Sequence, residues 1–248
     1  MLEASHETIL ERLTESAVVL DVGGGVQPFE RADWVIDLLP YEERASHQHS
    51  RPLERERFTR DTWVTRDICA PEPWPFADKE FDFVICSHTL EDVRDPIRVC
   101  QEMTRVGNAG YIEVPSRLEE QSYGFHGPWT GWSHHRWLVD IEGANVQFVF
   151  KHAVLHGRRQ TQFDAAFRFG LSPRDRVQFL FWEGSFGYRE RILLDAQELD
   201  AYLAEFVAAN GPPPGSLSDR ALARARWLRS RPRRALELLR SRSEQAGS

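Results

Sequence analysis

Along the first half of the chain, short apolar runs recur, each ending in a polar or acidic residue or at a sharp turn: Val18 to Val22, Trp34 to Asp37, Trp63 to Asp67, Phe81 to Ser87 and Gly110 to Val114. Runs that are apolar at consecutive rather than alternate positions predict strands buried on both faces, as in a parallel sheet. The stretches between them are long enough for crossover helices. The clearest is "EDVRDPIRVCQEMTRVGNAG", with Pro96 near its start, apolar Ile97, Val99, Cys100 and Met103, and a Gly107/Asn108 stop. Upstream, Leu2, Ile9, Leu10 and Leu13 fall near helical spacing and predict an amphipathic helix before the first strand.

After Pro115 the pattern changes. "SRLEEQSYGFHGPWTGWSHHRW" is long, aromatic and Gly-rich, which suits a loop that covers a site. "RWLVDIEGANVQFVFKH" reads as a hairpin turning at Glu142 to Asn145, and "RVQFLFWEGSFGYRERILL" as a second one turning at Gly184 to Gly187. A helix follows from Ala196 to Ala209. The expected fold is therefore α/β: a doubly wound, mostly parallel sheet with late antiparallel strands and a helical C-terminal tail. The expected organisation is a main domain over 1–195, with a lid-like substrate loop at 117–137 and antiparallel hairpins over 138–195. C-terminal helices then occupy 196–248, with a Pro-rich linker at 211–216 and an Arg-rich tail.

Composition narrows the classes. At 248 residues the chain can bury a sizeable core, and no apolar stretch is long enough to span a bilayer. The N-terminus lacks the basic-then-apolar plan of a signal peptide, and the three cysteines, Cys69, Cys86 and Cys100, have no metal-ligand spacing. A cytoplasmic protein with reduced thiols is expected. From Ser216 onward nine arginines face three acids, which gives that tail +6 and leaves −13 on the rest of a chain with net charge −7. Such a body disfavours nucleic acid as a partner, whereas the tail suits a homodimer contact or an acidic partner.

The first candidate chemistry is "VVLDVGGGVQPF", residues 18 to 29. A phosphate-binding loop would need a Lys followed by Ser or Thr, and neither is present. A dinucleotide loop would carry its last glycine where Pro28 stands, and proline also removes an N–H donor. Three acids close three successive apolar runs, Asp21, Asp37 and Asp67, and would repel a diphosphate. They suit a neutral-to-cationic ligand such as S-adenosylmethionine: Asp21 for its ammonium end, Asp37 for both ribose hydroxyls, and Asp67 for the adenine amino group, with Ile68 as a platform for the ring. Pro28 then reads as a helix-start residue.

"VVLDVGGG", "VIDLLP", "RDICAPEPWPFADKEFDFVICSHTLEDVRDP" and "GYIEVPS", in this order, resemble the motifs of class I S-adenosylmethionine-dependent methyltransferases, in particular the type-11 branch. The resemblance spans about residues 16 to 116 and implies a Rossmann-like core with S-adenosylmethionine as cofactor. It implies that Asp21, Gly23, Gly24 and Gly25 line the methionine half, Asp37 and Leu38 the ribose, and Asp67 and Ile68 the adenine, while Ser87 offers backbone to the amino group. Two departures stand out: Gln27 where many relatives have a glycine, and Asp92 in "LED" where a histidine is commoner.

Methyl transfer from a sulfonium is an in-line displacement that needs alignment, exclusion of water and, for a hydroxyl acceptor, a base. Candidate bases are His88, next to the end of the fourth strand, and His134 or His135 in "SHHRW". Candidate acceptor-binding residues are His126, Trp129, Trp132, Arg136 and Arg117. No metal is expected. The function expected is methyl transfer to a small-molecule acceptor, at oxygen, in a glycan or specialised-metabolite pathway. A nicotinamide-dependent oxidoreductase and a non-catalytic S-adenosylmethionine-binding interaction module remain as alternatives.

Overall fold

The computed structural model describes residues 1–46 and 56–211. The Arg-rich tail and all but the first residue of the Pro-rich linker, together with the dimer or acidic-partner contact expected of that tail, lie outside the described residues. The chain divides into two compact units, the first formed by Met1–Arg117, His134–His152 and Pro173–Leu193.

That first unit is built on a six-stranded sheet. Its strands are β1 (Val19–Val22), β2 (Trp34–Asp37), β3 (Trp63–Thr65), β4 (Phe81–Ser87), β5 (Gly107–Pro115) and, much later in the chain, β8 (Val177–Glu183). The spatial order is β3-β2-β1-β4-β5-β8, parallel throughout except for β8, which runs antiparallel to β5. The order reverses between β1 and β4, and a doubly wound sheet has its ligand crevice at such a point, beyond the carboxyl ends of those strands.

Each face of the sheet is covered, as consecutive apolar runs require. One face carries Leu20, Val22, Ile36, Val84, Cys86 and Ile112, packed with Val99, Cys100, Met103 and Val106 of α2 (Pro96–Val106). The opposite face carries Val19, Val35, Phe83, Ile85 and Tyr111, with Ile9 of α1 (Glu3–Arg12) and with Phe29 and Phe58 from loops. Helix α2 starts where the sequence signals it: Asp95 caps the Arg98 N–H at 2.9 Å and Pro96 occupies the first turn. Its buried Glu102 accepts the Trp74 N–H at 2.6 Å and so fastens the loop before β4.

Three sequence expectations change. Among the described residues, only the β4–β5 connection has a long crossover helix; the chain from β1 to β2 is an irregular loop, and Pro28 starts no helix there. The reason is local, because the loop's backbone is committed to the acids of the strand ends, as described below. The second hairpin is also not formed. β8 joins the six-stranded sheet, whereas β9 (Gly187–Glu190) joins a three-stranded sheet of order β6-β7-β9 with β6 (Trp137–Glu142) and β7 (Asn145–Phe150). Trp182 and Phe186 each bury their rings in the core shared with α2, and this pulls the two strands apart at Gly184 to Phe186. The first hairpin forms as expected, with a two-residue turn at Gly143 and Ala144.

The second unit comprises Leu118–Ser133, Ala153–Ser172 and the described residues from Leu194. Most of α3 (Arg117–Glu120) belongs to it, with α4 (Ala165–Gly170) and α5 (Ala196–Asn210). Leu155, Phe163, Leu199 and Leu203 are buried in it, and Arg168 pairs with Glu119 at 2.7 Å while stacking over Phe125. Among the described residues no helix is long and apolar enough to cross a membrane.

Candidate active site

The site starts from the glycines after β1. Gly23 has φ +71°, and a Cβ there would stand 2.3 Å from Thr89 Cγ2; a Cβ on Gly24 would meet Pro28 at 2.8 Å and Asp21 Oδ2 at 3.0 Å. Glycine is required at the first position by conformation and at both by crowding. The strand-end acids hold the loop: Asp21 Oδ2 accepts the Phe29 N–H at 2.6 Å, Asp37 Oδ2 accepts the Gly25 N–H at 2.8 Å, and Asp37 Oδ1 accepts the Leu39 N–H at 2.6 Å. Thr89 tethers the loop to the end of β4 by donating its hydroxyl to the Gly23 carbonyl at 3.1 Å.

Two clefts meet around this loop. One, of about 380 Å³, is lined by Gly23, Asp37, Leu38, Asp67, Ile68 and Arg136, among others. The other, of about 520 Å³, is lined by Asp21, the three glycines, Gln27 and Ser87, among others. Gly23 and His88 line both. The nine residues expected to bind cofactor thus fall around one pair of adjoining clefts. Leu38 is 70% exposed at the end of β2, an apolar surface that a bound ring would cover. Asp67 lies two residues beyond β3 and is paired with Arg94, which holds its carboxyl below the usual range; Arg94 also donates to the Cys69 carbonyl at 3.0 Å. Burial pushes the Asp21 carboxyl up to about 7, against the Phe29 N–H, with the Asp37 charge adding to the rise.

His88 stands at the centre in a left-handed conformation, φ +55°, which costs a non-glycine residue about 1 kcal/mol. The turn places its Nε2 3.1 Å from Glu113 Oε1 and its Nδ1 3.5 Å from Glu91 Oε1. Burial lowers the imidazole's affinity for its proton, but the two carboxylates outweigh it and raise the pKa to about 9. Glu113 is fully buried; burial would raise its carboxyl, yet His88, the Leu2 N–H and the Tyr111 hydroxyl together hold it at about 2. Glu91, equally buried, is pushed up by desolvation. With its pKa raised to about 9, His88 holds its proton at neutral pH, with the Glu113 and Glu91 side chains beside its two nitrogens. Both nitrogens of the base expected there from the sequence lie beside carboxyl groups.

The remaining expected residues separate. His134 and His135 both approach Asp92, with Nε2 to carboxylate distances of 4.0 and 3.8 Å, and Asp92 and Arg136 line the first cleft with His88. Arg117 is buried, pairs with Asp140 at 3.3 Å and lines neither cleft. His126, Trp129 and Trp132 lie in the second unit, where His126 packs on Trp132 with ring centroids 4.8 Å apart and Trp129 meets His156 edge-on at 5.2 Å. The residues that sequence reasoning passed over are Thr89, Glu91 and Arg94. Their signal was present: an acid three residues after His88, and an arginine within a stretch otherwise given to apolar and acidic positions.

A switch-point crevice lined by strand-end acids and a glycine loop is the arrangement of a Rossmann-like fold. Residues 36–112 match a family model described as a methyltransferase domain. The match covers under a third of the chain and agrees with the methyltransferase resemblance of its motifs. No protein of curated function matches the chain. Among solved structures, a SAM-dependent methyltransferase from Aquifex aeolicus is similar at 18% identity over 45% of this chain and 64% of that one, with a TM-score of 0.33. One from Thermotoga maritima gives 22% identity over 48% and 53%, TM-score 0.32, and one from Mesorhizobium loti 14% over 58% and 62%, TM-score 0.34. The chain thus spans between half and two thirds of the length of these structures.

The residues present fit S-adenosylmethionine. Gly25 opens on free space, with nothing within 4 Å of where a Cβ would stand, and the Ser87 hydroxyl is buried without a hydrogen-bond partner among the described residues. The carboxylates of Asp21, Asp37 and Asp67 line the two clefts and offer acceptors of the kind that an ammonium and hydroxyls need.

Proposed function

We propose that the chain transfers a methyl group from S-adenosylmethionine to the hydroxyl of a small-molecule acceptor. The observation that carries this reading is the convergence of Asp21, Asp37, Asp67, Ile68 and the glycine loop on two clefts that share Gly23 and His88. The bound cofactor would supply an electrophilic methyl on a sulfonium. Asp21 would hold its ammonium, Asp37 its ribose hydroxyls, and Asp67, fixed by Arg94, its adenine amino group, with Leu38 and Ile68 flanking the ring. His88 contributes a fixed positive charge beside the Glu91 and Glu113 side chains and orders the end of β4. Proton acceptance at the acceptor hydroxyl falls instead to the carboxylate oxygens of Asp92, which lines the first cleft. Arg136 beside them gives an acidic or hydroxyl-rich acceptor a counter-charge, which suits glycan or specialised-metabolite chemistry. A cytoplasmic setting belongs to the same proposal, since Cys69, Cys86 and Cys100 are all buried free thiols.

Asp37→Ala tests the reading. Losing two charge-assisted hydrogen bonds to the ribose is expected to weaken S-adenosylhomocysteine binding about 10- to 100-fold in calorimetry. An unchanged affinity would remove the ribose from Asp37.

A pH prediction follows from Asp21. With its pKa raised to about 7, the acid is mostly neutral at lower pH, and a ligand ammonium favours the ionised form. Binding therefore releases a proton, and affinity for S-adenosylmethionine rises as pH rises, by about eightfold from about pH 6 to about pH 7.5, then levels off. Asp21→Asn should flatten this profile. A wild-type profile that is already flat would exclude contact between Asp21 and the ammonium.

A further inference from the structure

We propose that Asp92, His134 and His135 form a mononuclear binding site for a divalent transition metal such as Zn²⁺ at the wall of the first cleft. One ligand atom from each lies within 4.8 Å of the other two, the composition that imidazole-binding divalent ions select. Both Nε2 atoms face opposite oxygens of the same carboxylate, at 4.0 Å for His134 and 3.8 Å for His135, with the rings at 81° to one another. Metal–nitrogen bonds of about 2.0–2.1 Å in tetrahedral geometry require ligand atoms about 3.3 Å apart, so ligand atoms that now lie within 4.8 Å of one another need to close by at most about 1.5 Å.

Neighbouring histidines seldom share an ion, because on an extended strand they point apart. Here they precede β6 in a turn, and both rings come to the same side.

The two segments that carry the ligands are also fastened to each other. Glu91 accepts the Arg136 N–H at 2.7 Å and the Trp137 N–H at 3.1 Å through its carbonyl, and the Trp137 indole donates to the Val93 carbonyl at 2.8 Å. Asp92 itself sits in a turn closed by its own N–H to the Thr89 carbonyl at 3.0 Å, and its Oδ1 is buried without a hydrogen-bond partner among the described residues. Such cross-bracing supplies the preorganisation that a metal site needs.

Three protein ligands leave coordination positions open, and Asp92 lines the cleft that Asp37 and His88 also line. The structure thus assigns the open positions to oxygen of the acceptor, whose hydroxyl a Lewis acid would make more acidic. This part rests on the methyltransferase reading, whereas the metal site does not. It also gives Asp92 a role in the position where relatives of the resembled branch commonly have histidine.

The test is titration of the untagged, metal-free full-length chain with Co²⁺, read by visible absorption, alongside calorimetry with Zn²⁺ and, separately, with S-adenosylhomocysteine. Expected are one ion per chain, with the intense bands of a four- or five-coordinate site, and at least a ~10-fold weaker affinity in His134→Ala and Asp92→Asn. His134 is 57% exposed, so its removal is not expected to affect folding, and S-adenosylhomocysteine affinity in that variant should stay within about threefold of wild type. No binding, octahedral Co²⁺ bands only, or binding undiminished in both variants overturns the metal site and leaves the methyltransferase reading intact. Metal binding that follows these variants in a chain that fails to bind S-adenosylhomocysteine upholds the site and overturns the assignment of its open positions.

Discussion

Gly23→Ala is expected to abolish measurable S-adenosylhomocysteine binding, a loss of about 100-fold or more, and to lower folding stability by about 2 to 4 kcal/mol. Two separate costs combine. A residue with a Cβ at φ +71° is strained by about 1 kcal/mol, and that Cβ would stand 2.3 Å from Thr89 Cγ2 and 2.5 Å from its Oγ1. Thr89 is not free to yield, because its hydroxyl is bound to the Gly23 and Ser87 carbonyls. Displacing it moves the end of β4, and with it His88 and Ser87, so both clefts change at once. Adding Thr89→Gly removes the contact with residue 89 but not the strain at residue 23, and should recover part of the lost stability while affinity remains poor. Denaturant unfolding and calorimetry on the two variants separate these terms; near wild-type affinity in Gly23→Ala alone would mean that the loop does not form the floor of the binding site.

The second large effect concerns the charge at the end of β4. Asn tolerates the left-handed conformation at this position, so His88→Asn removes the imidazolium with little change in backbone cost. It leaves Glu113 buried without its closest cation, and a loss of about 2 kcal/mol is expected near pH 7, below the full value of a sealed pair because the His88 side chain is 42% exposed. The pH dependence has two limbs. His88 is raised from an ordinary 6.5 to about 9, so its contribution is complete below the lower value and is lost as pH rises through the upper one. Glu113 is lowered from 4.5 to about 2, so its contribution is complete above the former and is lost as pH falls toward the latter. The stability gap between wild type and His88→Asn should therefore be widest between about pH 5 and about pH 7 and narrow on both sides. A gap independent of pH would show that His88 acts through packing alone.

Much of the sheet was legible because its signal is local. Phe81 to Ser87 and Trp34 to Asp37 are apolar at consecutive positions and are strands over those residues, and Pro96 opens α2 where the capping pattern places it. The loop after β1 was misread in its structure. A proline in that position ordinarily favours a helix start, yet the N–H groups of Gly25 and Phe29 are held by Asp37 and Asp21 rather than by a helix. β8 and β9 were misread because a glycine between two aromatic runs has the same appearance whether the strands pair or part. What decides is the burial of Trp182 and Phe186, a tertiary fact.

The candidate site shows the same division. Acids at strand ends can be counted in the sequence, and Asp21 and Asp37 line the clefts directly. The pairing of His88 with Glu113 joins residues 25 positions apart across two strands, in register at Ser87 and Glu113, and only the sheet brings it about. Asp92 was visible only as a departure from the resembled motif; its approach to His134 and His135 depends on a contact between segments about 40 residues apart in the chain.

The most direct measurement is a crystal structure of the full chain grown with S-adenosylhomocysteine. The ribose hydroxyls should bond to Asp37, the adenine should lie between Leu38 and Ile68 with its amino group toward Asp67, and the amino-acid end should reach Asp21 and Ser87 past Gly23. Density for the ligand outside these two clefts, or a pose that leaves Asp37 without contact to the ribose, would contradict the account.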